Sequence, residues 1–421
     1  MKKLFLVGII FLLFTVLPIN IRASDLAQAR IGNRYFDSLE DAIAAASSTD
    51  IINLTSNVTL NEPLNINKTV NINLNGKTIQ ADEKVFVVHG GSLNLSGNGL
   101  IKESKPNYGA IVIQGSEDSN KKDFSTISVG SGITLEGWSG IFINHYNKTG
   151  YGILVNMNGS INAVNDVDGG SGTGIYVNGN IQHENNSPII NLSDTAKITS
   201  TGNGIYAAGY ATYNINGAYI EGKESGLGIK AGVFNILDGS IIGSGEDKTP
   251  TSGNNNGIRP TGVAIQIESN PGYAGNIELY IKDGTFNSKN SNVVYEYTTN
   301  NTTEVKNLNI SGGSFTSNGG KDVFLLSNSL KSIHPKFISG GSYSSDPTKY
   351  LKSGYSVQKN ENSLYEVISS TIQVFGSNSQ SNSSGLSTII VISSLLIIGF
   401  VVYLNRNNIG NFISSIINKL N

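Results

Sequence analysis

Gly174-Ile-Tyr-Val is one copy of the phrase that decides the fold, because it returns as Gly109-Ala-Ile-Val-Ile, Gly140-Ile-Phe-Ile, Gly152-Ile-Leu-Val, Gly204-Ile-Tyr-Ala and Gly228-Ile-Lys-Ala. Each copy is a short apolar strand behind a glycine. A second phrase alternates with it, a turn leading into a strand: Asn158-Gly-Ser-Ile, Asp238-Gly-Ser-Ile, Asp283-Gly-Thr-Phe, Gly312-Gly-Ser-Phe and Gly340-Gly-Ser-Tyr. The copies lie roughly 10 to 45 residues apart, and repetition of that order marks a stacked architecture in which no repeat buries its apolar face alone.

Between these phrases the apolar period is two. In Val70-Asn-Ile-Asn-Leu-Asn75, Val70, Ile72 and Leu74 share one face and the asparagines the other. A slip of one residue would exchange the faces, so the turn Asn75-Gly76-Lys77 must fix the register. Short strands with close turns and no helical stretches between them argue against a βαβ fold. A β-sandwich stays open, but irregular repetition over some 300 residues favours a coil of parallel strands. Ile141, Ile153, Ile175, Ile205 and Ile229 are then expected to point inward as one column.

Ahead of the strands, Tyr35-Phe-Asp-Ser-Leu-Glu-Asp-Ala-Ile-Ala-Ala-Ala46 reads as a helix. Ser38 is placed to cap it with Asp41 three residues on, and Leu39, Ala42, Ile43 and Ala46 form its apolar face. A helix here is expected to cover the open end of the stack.

The chain has 421 residues, a net charge of -2 and no cysteine, so disulfides are excluded, and the absence of clustered Lys and Arg argues against a nucleic-acid partner. Met1-Lys-Lys, the apolar run Leu4 to Leu17 and the stretch ending Ala23-Ser24 follow the order of a secretory signal. A second uncharged apolar run, Leu386 to Leu404, has the length of a membrane span, and Arg406 and Lys419 follow it. The expected organisation is a signal peptide (1–24), an ectodomain (25–368), a Ser/Asn-rich linker (369–385), a transmembrane helix (386–404) and a cytoplasmic tail (405–421). The expected location is the cell membrane, single-pass, with the ectodomain outside.

The opening Tyr35-Phe-Asp-Ser-Leu-Glu-Asp-Ala-Ile, with Ile51-Ile-Asn-Leu-Thr-Ser-Asn-Val-Thr-Leu and Ile72-Asn-Leu-Asn-Gly-Lys-Thr-Ile, resembles the start of pectate-lyase-like right-handed β-helix proteins of bacterial surfaces. The ending Ile338-Ser-Gly-Gly-Ser-Tyr-Ser-Ser-Asp-Pro-Thr-Lys-Tyr-Leu-Lys-Ser-Gly-Tyr-Ser-Val, with Leu364-Tyr-Glu-Val, is similar to their closing segment. The resemblance brackets residues 30 to 368. It implies an all-β, right-handed parallel β-helix (solenoid), here with an N-terminal capping helix and a C-terminal transmembrane helix. It leaves function open, since such coils host lyases, hydrolases, tail-spike proteins and adhesins.

Hydrolases that resemble this fold carry an adjacent Asp-Asp pair and a Gly-His-Gly. This chain has no Asp-Asp pair, and His89-Gly90-Gly91 sits in a turn signal. Lyases use an Arg or Lys base with calcium. The one candidate base, Arg259, is followed directly by Pro260 with no second arginine, and reads as a loop residue. Asp166 and Asp168 are weak candidates for holding a calcium ion, with a solvated turn as the simpler reading. No other cofactor is called for.

The residues after each inward isoleucine point outward, which aligns Phe142, Leu154, Tyr176, Tyr206 and Lys230 on one expected face. Aromatic faces there would stack on sugar rings, while a stabilising ladder explains the same column. The leading expectation is a membrane-anchored surface protein that is non-catalytic and binds glycans or host surface proteins through Phe142, Tyr176, Tyr206 and Lys230. The alternative is a membrane-tethered lyase or glycoside hydrolase with a diverged site.

Overall fold

In the computed structural model, strand Thr69–Asn73 lies parallel between Ile51–Leu54 and Ser92–Ser96, with Ile72 opposite Ile52 and Leu95. Each strand thus pairs with the chain one turn earlier and one turn later. The structure describes residues 27–370 apart from 147–148, 249–250, 253–257, 260, 270–272, 274 and 299–304. The expected signal, membrane-span and tail segments, and the expected linker beyond residue 370, lie outside the described residues.

Every turn supplies three strands, and these stack into three parallel ladders. The first runs from Ile51–Leu54 to Val305–Ile310, the second from Val58–Leu60 to Ser314–Ser317, and the third from Leu64–Ile66 to Phe324–Leu325, ten strands in all for the third. Strands Thr212–Gly222 and Gly232–Gly243 run through the first and second ladders without a break. Parallel pairing at every step removes the β-sandwich alternative, whose sheets are antiparallel, and leaves a β-helix-like solenoid.

Period-two alternation puts one apolar set inside. Ile111, Ile141, Ile175, Ile205, Leu227 and Ile265 pair in register along the third ladder and are fully buried. Two members of the expected column are misplaced. Ile153 belongs to the first ladder, opposite Ser125, and Ile229 sits in the neighbouring inward column with Ala207 and Ile267. The true homologue of Gly204-Ile205 is Gly226-Leu227, two residues before Gly228-Ile229, because Leu227 replaces the isoleucine of the phrase.

The glycine of the first phrase has a packing cause. A Cβ on Gly140 would lie 2.5 Å from Cγ2 and 2.7 Å from Cγ1 of Ile161, which belongs to the second ladder one turn on. Gly226 stands in the same relation to Ile241, at 2.6 Å. Glycine therefore lets the second and third ladders approach where they meet. In the second phrase Gly284 has φ +118, and its Cβ would lie 2.8 Å from the carbonyl of Gly239 in the turn below. Positive φ and backbone stacking both require glycine there.

Both ends are closed. Helix α1, Leu39–Ala45, is capped as expected: the Ser38 hydroxyl accepts the Asp41 N–H at 3.0 Å, and Leu39, Ala42 and Ile43 are buried. It lies beside Ala29–Ile31, which pairs antiparallel with Ile51–Leu54 and ends the first ladder. At the other end, Phe324, Phe337 and Tyr350 pack edge to face and tilted over the last turn. Helix α2, Asn328–Ile333, and the strand pair Ser342–Tyr343 with Tyr365–Ser369 complete that cap.

Candidate functional site

The three corners of the coil differ in length, and that difference singles out one face. Between the first and second ladders the chain turns within short segments such as 74–76, 97–98, 130–132 and 158–159. Some corners flanking the third ladder are longer, 104–110 and 164–172 before it and 115–124 and 178–188 after it, while others are as short as 138, 201–202 and 230–231. Loops that vary over a rigid scaffold are where binding groups concentrate.

The outward side chains also differ. On the first ladder Asn214 donates to Asn191 at 2.9 Å, Asn235 to Asn214 at 3.0 Å and Asn191 to Asn156 at 2.9 Å, a ladder that satisfies itself. On the second, Lys102 pairs with Glu136 at 2.8 Å, and Asn162 donates to the same carboxylate. On the third, Phe142, Tyr176 and Tyr206 are in direct register. Their ring centroids are 4.6 and 5.1 Å apart with planes about 30° and 29° apart. Trp138 lies tilted against Phe142 and Tyr176 at 6.2 and 5.6 Å and donates its indole N–H to the Ser171 carbonyl.

Three features of the expected face are corrected. Leu154 lies in the first ladder opposite Thr126 and Ile189. The position in line with Tyr206 is Gly228, so Lys230 stands two residues further along, in a second outward column. The rings of Phe142, Tyr176 and Tyr206 stack on one another, so their flat faces are turned to each other and their edges outward. Phe142 is only 7% exposed.

Lys230 is buried and forms an ion pair with Glu268, whose carboxylate also accepts the Gln266 side-chain amide at 3.2 Å. The ammonium lies 5.6 and 5.5 Å from the ring centroids of Tyr206 and Tyr273, whose hydroxyls are 2.8 Å apart. Burial, reinforced by Tyr273, pushes the Tyr206 hydroxyl far above its usual range, so it stays protonated. Sequence reading missed Glu268, Gln266, Tyr273 and Trp138. Only Gln266 and Glu268 left a trace, as polar residues alternating with Ile265 and Ile267.

Nearer the N-terminal end, His145 makes edge contacts with Phe142 at 4.7 Å, Tyr108 at 5.4 Å and Tyr146 at 4.3 Å, so loops from opposite edges of the third ladder meet over it. Burial and then the Lys84 charge hold the His145 pKa below its ordinary value. Lys84 lies 3.7 Å over the Tyr108 ring. The loop carrying Tyr108 is held by the fully buried Glu103, whose carboxylate accepts the N–H groups of Asn107, Tyr108 and Trp138 at 2.9, 2.8 and 3.0 Å. Burial raises the Glu103 pKa against the opposing pull of those donors.

The weak calcium pair does not converge on a site. Asp166 Oδ1 accepts the N–H groups of Asp168 at 2.9 Å and Gly170 at 2.7 Å, which is the bonding of a self-contained turn. Among the described residues no group of three or more His, Asp or Glu side chains is arranged to hold a metal. Arg259 is described only through its backbone, opposite Thr251 in a short antiparallel pair. Comparison with models of known protein families, with curated proteins and with solved structures returns no match.

Proposed function

We propose that the chain is an exported, membrane-tethered binding protein of the pectate-lyase-like β-helix kind, non-catalytic, whose third-ladder face receives glycans or host surface proteins. The observation that carries this reading is the contrast among the three faces. The first two carry outward polar groups paired within their own ladders, while the third carries the stacked aromatic column Phe142, Tyr176 and Tyr206, with the Tyr206 hydroxyl held by Tyr273. A tyrosine edge with its hydroxyl combines an apolar body with a hydrogen-bonding tip, the pairing that binding surfaces favour. Trp138 adds a larger ring at the rim of this array.

The test is a glycan-array and polysaccharide-digestion screen of the intact protein, with and without calcium, followed by two double variants. Tyr176→Phe with Tyr206→Phe keeps the ring stack but removes the Tyr176 hydroxyl and the buried Tyr206–Tyr273 hydrogen bond that positions the array, and is expected to weaken binding about tenfold. Tyr176→Ala with Tyr206→Ala is expected to abolish it. Unchanged binding in both variants, with circular dichroism showing intact strands, would reject this face. Release of unsaturated or reducing sugars would instead establish the diverged enzyme.

A further inference from the structure

We infer that the C-terminal cap of the solenoid is a docking surface for anionic lipid, so that the protein rests end-on against the membrane that anchors it. The inference rests on the tether of the proposed function and adds a surface to it. Charge is segregated along the chain. Residues 27–320 hold 18 Lys and Arg against 26 Asp and Glu, a net charge of -8, whereas residues 321–370 hold six lysines against four carboxylates, a net charge of +2. A solenoid that is anionic for most of its length thus ends in a cationic cap.

The lysines of that cap make their direct contacts with neutral partners, although, after the hydrogen bonds from Thr348, the charges of Lys349 and Lys359 also help to lower the Asp346 pKa. Lys336 donates to the Lys349 carbonyl at 3.1 Å, Lys349 lies 5.0 Å over the Tyr350 ring and Lys359 4.8 Å over Tyr365. Lys331 reaches only the Asn328 side-chain oxygen, at 3.4 Å. Among the described residues none of these four has a carboxylate within ion-pair distance, and all four are exposed. Lys321, which faces back along the coil, is the exception, paired with Asp247 at 2.9 Å.

Two large apolar side chains are exposed near the same end: Ile333, at the close of α2 one turn after Leu330, is 57% exposed, and Leu325, which ends the outward column of the third ladder opposite Tyr295, is 50% exposed. Leu330 on the same helix is buried. Exposed apolar residues set among cations match the interface of a bilayer, where the chains enter and the ammonium groups meet headgroup phosphates. The chain also leaves the solenoid from this cap, through Tyr365–Ser369, with residues 371–421 still to follow. A water-soluble partner would explain the charge but not the coincidence with the exit of the segment that carries the Leu386 to Leu404 run.

The absence of native cysteine allows single-site labelling of the full chain. Ile333→Cys at the cap and Glu62→Cys in the first turn each carry an environment-sensitive fluorophore, and the protein is reconstituted into vesicles containing spin-labelled lipid. With phosphatidylglycerol present, the label at 333 is expected to be quenched strongly and the label at 62 hardly at all. Quenching at 333 is expected to fall with neutral phosphatidylcholine alone, at about 1 M salt where screening acts within about 3 Å, and when Lys331, Lys336 and Lys349 are replaced by Glu. Equal quenching at both sites in protein that floats with vesicles would overturn the docked cap while leaving the tether standing. Quenching at 333 unaffected by lipid charge, salt and lysine reversal would overturn the anionic-lipid assignment. Failure to float at all would remove the tether and the docked cap together.

Discussion

Gly140 and Ile161 show how a single position sets the spacing of two ladders. All three nearest atoms to a Cβ at Gly140 belong to the Ile161 side chain, at 2.5 to 2.9 Å. Gly140→Ala is therefore expected to cost about 1–3 kcal/mol by overpacking. Combining it with Ile161→Ala should cost less than the two single changes together, because each makes room for the other. Urea denaturation of the four members of that cycle measures the coupling, and simple additivity would mean the two residues do not press on each other. The same residues explain what could be read in advance. The glycine phrase announced strands and their inward isoleucines, because alternation and turn chemistry are local. It could not announce that Gly226-Leu227, and not Gly228-Ile229, continues the column, since Leu and Ile fill the inward site alike and the register is set by the neighbouring turn.

At the scale of the element, the third ladder joins an apolar inner face to an outer face that is itself largely covered. Its strand Val263–Ser269 is buried at every position, including Gln266 and Glu268. Alternation in the sequence marks those two as outward, but they are buried, Glu268 against Lys230, a contact between turns that no local pattern specifies. For that reason Lys230 read as a surface cation and is in fact half of a buried pair. Removing one member of such a pair leaves an uncompensated charge, so Lys230→Met is expected to destabilise by about 3–5 kcal/mol, while Lys230→Met with Glu268→Leu should recover most of the loss. Thermal unfolding of the two variants decides it. A double variant no better than the single one would show that the pair is not the dominant interaction at that place.

For the whole molecule, each turn meets only its neighbours, so stability is close to a sum of turns and interfaces and depends on closed ends. Ala29–Ile31 and α1 close the first end, and without them the edge of Ile51–Leu54 would face solvent with its backbone groups unpaired. Deleting residues 27–50 is expected to give concentration-dependent association, visible by light scattering, with strand content retained by circular dichroism. A monodisperse monomer would show that the cap is dispensable. The helix and its capping serine were legible because Ser38, Asp41 and the apolar spacing are contiguous, and the aromatic closure at the other end was not, because Phe324, Phe337 and Tyr350 meet only in three dimensions.

The parallel ladders also have a mechanical meaning. Hydrogen bonds between successive turns point along the axis of the coil, so a pull between the cap and a ligand on the third face loads them one turn at a time, as in peeling a zipper. Ile72 and Leu95, neighbours in adjacent turns, are separated by 23 residues of chain. Each turn that lets go therefore releases up to roughly 80 Å of slack at about 3.3–3.6 Å per residue. With the membrane tether and third-face ligand proposed above, a solenoid built this way would yield under tension in long, separate steps, which would limit the force on the contact that holds the ligand.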